Sequence, residues 1–172
     1  MSPEFLSRAQ VIHREQRDLY DYWQACAQPG RIPSRFDIDP VVIPHLMPSL
    51  SLLDVFDDLD LLQYRLAGTR VREIYSAEIT GRRVFESGFQ YKAEYWRSAY
   101  SQVVDNKLAM QGIIRGPVAG RDHLVLFWLR LPLEGLSGRV EHVLGHDAGI
   151  AAGGDDRREE PVRLQFLRRV GG

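Results

Sequence analysis

Pro33, Pro40, Pro44 and Pro48 crowd into one short stretch, and they constrain the whole chain. Proline fixes φ and lacks an N–H, so this stretch can form neither a long helix nor a central strand. Residues 31–49 are therefore read as an ordered connector, with Asp39 capping a short helix around Val41–Leu46. The connector separates the regular structure on its two sides. The expected division is an N-terminal helix over 1–30, a domain over 31–150 that includes the connector, and a polar tail over 151–172.

Ahead of the connector, Ser2 and Pro3 make a helix start. Phe5, Ala9, Ile12, Leu19, Trp23 and Cys26 then recur at helical spacing, and Pro29-Gly30 ends the run. The spacing predicts one long amphipathic helix. Its stripe packs on its own domain or meets a second subunit. Phe5, Ile12, Leu19 and Trp23 are the candidate interface residues.

Behind the connector, two strands are predicted at Leu50–Val55 and Leu62–Ala67, with Tyr64 on one face and Arg65 on the other. A short helix over Val71–Tyr75 and a long one over Phe89–Asn106 come next. Three more strands are predicted at Leu108–Arg115, His123–Leu131 and Arg139 to about Ala148. The run Leu124–Leu129, closed by Arg130, is apolar enough to be buried on both faces. Successive hairpins give an α+β fold: an antiparallel five-stranded sheet with helices on one side. Val162, Leu164 and Phe166 alternate in the tail, which either docks as a strand or short helix or stays loosely attached.

A chain of 172 residues can bury one core, and a net charge of −1 with mixed signs offers no basic stripe for nucleic acid. Cys26 stands alone, which excludes an internal disulfide and a cysteine zinc site and suits a reducing cytoplasm. Glu4, Arg8, Arg14 and Glu15 interrupt any secretory signal, and the longest apolar run is too short for a membrane.

Chemistry-bearing groups are few. His142 and His146 are four apart beside Asp147, but in a strand that spacing separates them by ~13 Å, too far for one metal. No nucleophile with a neighbouring base is visible, so no catalytic residue and no enzyme is predicted. The weaker alternative is a small α+β enzyme using His123 or the His142/His146 pair. Tyr64, Met110, His123, Phe127 and Trp128 are candidate pocket residues, though core packing is the more ordinary role for Tyr64, Met110, Phe127 and Trp128, and a hydrogen bond to a loop for His123. Arg65 either holds the connector or meets an anionic ligand. In the first case Arg35 and Arg65 bind Asp37 and Asp39. Gly68 and Gly81 are expected at positive φ.

Four segments together resemble a known family. They are Trp23, then Pro33-x-Arg35-x-Asp37-Ile38-Asp39-Pro40, then Tyr64-Arg65-Leu66-x-Gly68-Thr69, then Thr80-Gly81-Arg82. They resemble a bacterial PAS-like family, over roughly residues 15–148. The resemblance implies a sensory fold and names no ligand. It also implies absences. Flavin-photosensing PAS domains carry a cysteine on the helix after the second strand, where Ser76 and Ala77 stand, and haem-binding ones a histidine on the long helix, where there is none. Covalent flavin and haem are therefore not expected, and the cofactor is unknown. The leading reading is a non-enzymatic module that binds a small molecule or protein partner and signals through its N-terminal helix, as a homodimer or with a signalling partner. The alternative is a structural adaptor without ligand.

Overall fold

The computed structural model describes residues 11, 13–86 and 92–152, and the backbone alone of 5–6 and 163–167. Three helices are described: α1 (Arg14–Cys26), α2 (Thr69–Tyr75) and α3 (Ala93–Asp105). Seven strands are described: β1 (Phe5–Leu6), β2 (Leu50–Asp54), β3 (Gln63–Ala67), β4 (Ala109–Arg115), β5 (Leu124–Glu134), β6 (Val140–Ala151) and β7 (Arg163–Leu167). They form one sheet in the order β1-β7-β4-β5-β6-β2-β3. The five strands β2 to β6 are the predicted antiparallel sheet. β7 extends it antiparallel to β4, and β1 joins β7 in parallel.

Two expectations about the helices are corrected. Phe5–Leu6 is strand, so no helix runs unbroken from Ser2, and α1 starts at Arg14. Nor do all helices share one side. His146 stands opposite Leu129, and Asp147 opposite Trp128, so neighbouring residues of β6 face opposite ways. Trp128 packs on Trp96 of α3, with ring centroids 5.1 Å apart. His146 meets Gln16 of α1, with Nδ1 3.2 Å from Gln16 Nε2. The sheet is thus sandwiched between α1 on one face and α2 and α3 on the other. Within α1 the apolar stripe serves its own core: Leu19 and Trp23 are buried.

The connector holds the order its prolines demanded. Asp39 accepts the Val41 N–H at 2.9 Å, capping a single 3-10 turn at Pro40–Val42. The Ser34 backbone N–H and hydroxyl, then Arg31, hold the Asp37 carboxyl below its ordinary range. The arginines are assigned differently from expectation: Arg31 pairs with Asp37, and Arg35 lies over the Phe36 ring. Pro33 O accepts the Glu134 N–H, and Pro132 O accepts the Trp23 indole N–H at 3.0 Å. Pro132 is tolerated inside β5 because β4 ends at Ala109, opposite residue 131, leaving that edge to Trp23.

Gly81 has φ +82°, as a tight turn requires. Gly68 does not; its φ is −67°. Here glycine is needed for space, because a Cβ would sit 2.2 Å from the Pro48 carbonyl oxygen. The connector backbone passes directly over the start of α2. Gly68→Ala is therefore expected to lower stability by about 1–3 kcal/mol, the usual cost of overpacking. Urea unfolding reads this, and a loss below about 0.5 kcal/mol would refute the close approach.

Candidate functional site: a buried ion pair among tyrosines

On the α3 face of the sheet, β5 and β6 place two charged side chains side by side in the core. Arg130 and Asp147 are both 0% exposed, and Arg130 Nη2 lies 2.9 Å from Asp147 Oδ1. Arg130 also donates from Nε to the Tyr100 hydroxyl at 2.9 Å and from Nη1 to Leu129 O at 2.9 Å. Its guanidinium carbon lies 5.3 Å from the Trp96 ring centre and 5.8 Å from those of Tyr100 and Trp128. Aromatic faces of this kind favour a desolvated cation. Two glycines make room for the arrangement. A Cβ on Gly145 would meet Ser51 Oγ at 2.5 Å and Arg130 Nη1 at 3.1 Å, and one on Gly112 would meet the Trp128 ring at 2.7 Å.

Tyr64 of β3 and Tyr75 of α2 complete the cluster. The Tyr64 hydroxyl is hydrogen-bonded to those of Tyr75 and Tyr100. Burial raises the pKa of all three tyrosines, so they stay neutral. Burial is also the largest single influence on Arg130 and opposes its charge, but Asp147, Tyr100, Tyr75 and Tyr64 together raise its pKa. Asp147 is pushed upward by burial against the pull of Arg130. Its second oxygen, Oδ2, has no hydrogen-bond partner. Tyr64, Tyr75, Val84, Trp96, Tyr100 and Pro117 line a cavity of about 10 Å³, room for one water molecule.

The opposite face of β6 carries a second polar cluster. Gln16, itself buried, donates from Nε2 to Phe127 O at 3.0 Å, which fixes its amide orientation. The same NH2 faces His146 Nδ1, so the imidazole hydrogen is assigned to Nε2, which donates to Glu15 Oε2 at 3.1 Å. Glu15 Oε1 lies 3.6 Å from Arg70 on α2. This reach around the sheet is open because β2 stops pairing with β6 at His146. The His146 carbonyl oxygen is 3.4 Å from both Gln16 Nε2 and Arg130 Nη1. It is the point where the two faces meet.

The structure distributes the expected site residues unevenly. Tyr64, Met110 and Trp128 lie on the ion-pair face, with Met110 opposite Arg130. Phe127 faces α1, where its ring lies 6.1 Å from His13. His123 does not begin a buried strand: it sits in an exposed turn before β5. Arg65 turns outward and pairs with Asp54 at 2.8 Å, because the register slips between Leu52 and Leu53. Leu66 then stands opposite Leu52 and Tyr64 opposite Leu53, so these two residues lie on opposite faces. His142 and His146 share the α1 face as predicted, and no metal-ligating cluster is found among the described residues. Leu19 and Trp23 are core residues, unavailable to a partner; the side chain of Phe5 and all of Ile12 lie outside the described residues.

A family model described as PAS domain matches residues 11–147. No curated protein matches the chain. Similar solved structures include VqmA of Vibrio cholerae bound to DPO, at 13% identity and TM-score 0.48 over 64% of this chain and 56% of that one. An RNA-binding light-oxygen-voltage receptor is 18% identical with TM-score 0.49, over 73% and 37%. A PAS domain from Colwellia psychrerythraea is 15% identical with TM-score 0.47, over 66% and 98%. The chain thus spans 56% and 37% of the first two.

Proposed function

The chain belongs to the PAS domain family, and from that premise we propose that it is a sensory module whose cavity between sheet, α2 and α3 takes a small molecule and whose output passes through α1. The observation that carries this is the buried Arg130–Asp147 pair among three tyrosines. A fold needing only stability gains little from such a pair, since apolar residues of like size often serve as well or better. Here Arg130 donates to Tyr100, a residue of the cavity wall, and shares the His146 carbonyl with α1. A molecule that moves Arg130 or Asp147 alters the strand on which Gln16 and Glu15 hold the helix. Glu15 adds a second route, through Arg70, from the cavity-wall helix α2.

A protein-binding adaptor is the second reading. It is favoured by the small size of the cavity and by Phe36, Val41 and Val42, which are 89%, 81% and 58% exposed on the connector. A dimer or hetero-complex stays within the proposal, without Leu19 and Trp23 as its contacts. No helix among the described residues is long and apolar enough to cross a membrane. A cytoplasmic, bacterial, non-enzymatic module is the setting proposed. One similar protein is described as RNA-binding and another with target DNA, so the absence of nucleic-acid partners is not part of the proposal.

Native mass spectrometry of the purified chain, beside a thermal-shift screen of metabolites, tests the reading. A bound species, or a ligand that raises Tm by binding only the folded state, supports it. An empty chain with no shift across the library transfers the weight to the adaptor.

A further inference from the structure

A groove of about 720 Å³ opens at one end of the sheet and shares no lining residue with the cavity among the tyrosines. Cavities of roughly 300–1,000 Å³ take small molecules. Three segments build this one: the β2–β3 turn, the last turn of α3 and the β5–β6 hairpin. Val140 is buried and Val55, Leu59 and Val104 are half-buried, so its floor is apolar. Phe56 adds an aromatic ring that is 46% exposed. The two bases of the lining, Lys107 and Arg139, tie the hairpin to the other two segments. Lys107, just past the end of α3, donates to Gly138 O and lies 3.3 Å from Glu134 Oε2. Arg139 Nη2 lies 3.2 Å from Asp57 Oδ1 on the β2–β3 turn.

The other acids of the lining are not matched in this way. Asp58 accepts the Asp60 N–H at 2.9 Å and Asp105 accepts the Ser101 hydroxyl at 2.8 Å, both uncharged donors. Glu141 fills the space left by Gly135, where a Cβ would lie 1.8 Å from Glu141 Cδ. Among the described residues, no cation pairs with any of these three carboxylates. The end of α3 sharpens the imbalance. A helix C-terminus carries partial negative charge, which a basic side chain ordinarily offsets. The last turn of α3 holds no base, and its final residue is Asp105. Negative potential therefore surrounds an apolar floor, and the chain's own bases there are already engaged. An anion would be repelled, and an uncharged molecule would gain only the floor.

We propose that this groove is a second ligand site, separate from the sensory cavity, for a small amphipathic organic cation. Its apolar body lies on Val55, Leu59, Val104 and Val140, and its ammonium or guanidinium group faces Asp58, Asp105 and Glu141.

Hexylammonium, hexanol and hexanoate test this, because they share one apolar chain and differ in charge. Each is titrated into the intact chain while the amide resonances of residues 55–59, 104–107 and 137–141 are followed. Hexylammonium is expected to shift these amides and to bind about tenfold more tightly than hexanol, as several partly exposed charge contacts allow. Hexanoate is expected to bind more weakly still. Asp105→Asn and Glu141→Gln should each weaken hexylammonium severalfold and leave hexanol unchanged. Asp105→Asn should also raise the Tm of the free chain, because a carboxylate leaves the negative end of α3. A lower Tm overturns the conflict described there. Hexanol or hexanoate binding as tightly as hexylammonium overturns the charge argument. Unchanged hexylammonium affinity in both variants, or no shift of the groove amides with any probe, overturns the groove as the site. Shifts of the same amides on raising the protein concentration alone would assign the groove to a second copy of the chain and overturn the small ligand.

Discussion

Replacing Asp147 with alanine is expected to destabilise the protein by about 3–5 kcal/mol, because it leaves the Arg130 guanidinium buried without its counter-charge. Both side chains are 0% exposed, so water cannot stand in for the lost carboxylate. The remaining partners of Arg130 are a tyrosine hydroxyl, backbone carbonyls and aromatic faces, which hold a cation less strongly than a carboxylate does. Such a loss is a large fraction of the roughly 5–15 kcal/mol by which domains are stable. Urea unfolding measures it directly. The double variant Arg130→Met/Asp147→Leu removes both charges and is expected to recover most of the loss. A single-variant loss below about 1 kcal/mol would mean that the pair is not desolvated as described. Recovery of stability in the double variant together with loss of ligand uptake would separate the two roles of the pair.

Acid should loosen the opposite face of the same strand. Burial is the main influence on His146 and, against a smaller opposing pull from Glu15, lowers its pKa from 6.5 to about 4. The geometry agrees: a proton on Nδ1 would face the NH2 group of Gln16. The folded state therefore refuses a proton that the unfolded chain accepts. This contribution is fully present above about pH 6.5, declines as pH falls, and is exhausted near pH 4. Its size is about 3 kcal/mol, since each pKa unit corresponds to about 1.4 kcal/mol. His142, also lowered mainly by burial, adds in the same sense. Asp147, whose pKa is raised, works in the opposite sense. Stability measured between pH 7 and pH 4.5 should fall steeply in the natural chain and less steeply in His146→Gln. Parallel curves would show that His146 does not titrate in the way its partners require.

Much of the fold was legible because its signals are local. Connector prolines, turn glycines and the alternation of β2 and β3 act over a few residues, and the sequential pairings β2-β3 and β4-β5-β6 follow from such signals, whereas the β2-β6 pairing that joins them is long-range. The beginning of the chain was not legible in this way. Phe5 and Ile12 fit a helical period with Leu19 and Trp23, yet Phe5–Leu6 pairs with a strand more than 150 residues away. No local spacing reports such a contact. The bulge at Arg65 is a similar case: alternation alone puts Tyr64 and Leu66 together, and a one-residue slip in pairing separates them.

The site was half visible. Tyr64, Met110 and Trp128 follow from the apolar pattern of their strands. Arg130 closes an apolar run in the sequence, although Leu131-Pro132-Leu133 continues it within β5. A charge inside a continuous apolar strand is rarely buried alone. That signal calls for a partner carboxylate, and Asp147 stands out in the sequence only as a neighbour of His146. Tyr75, Tyr100 and Trp96 belong to helix faces in the sequence, and only the packing of α2 and α3 over the sheet brings them to one place. For Gly68 the need for glycine was legible and its cause was not, because the Pro48 carbonyl approaches from a separate segment.

The central claim is that the cavity face and α1 respond together. Amide hydrogen exchange over the whole chain tests it most directly, with and without the molecule found by the screen. The account predicts changed protection in two separated places: the cavity wall at α2 and α3, and the first turns of α1 around Glu15 and Gln16, with β6 between them. A change confined to the cavity wall, with residues 14–26 exchanging at unaltered rates, would contradict it.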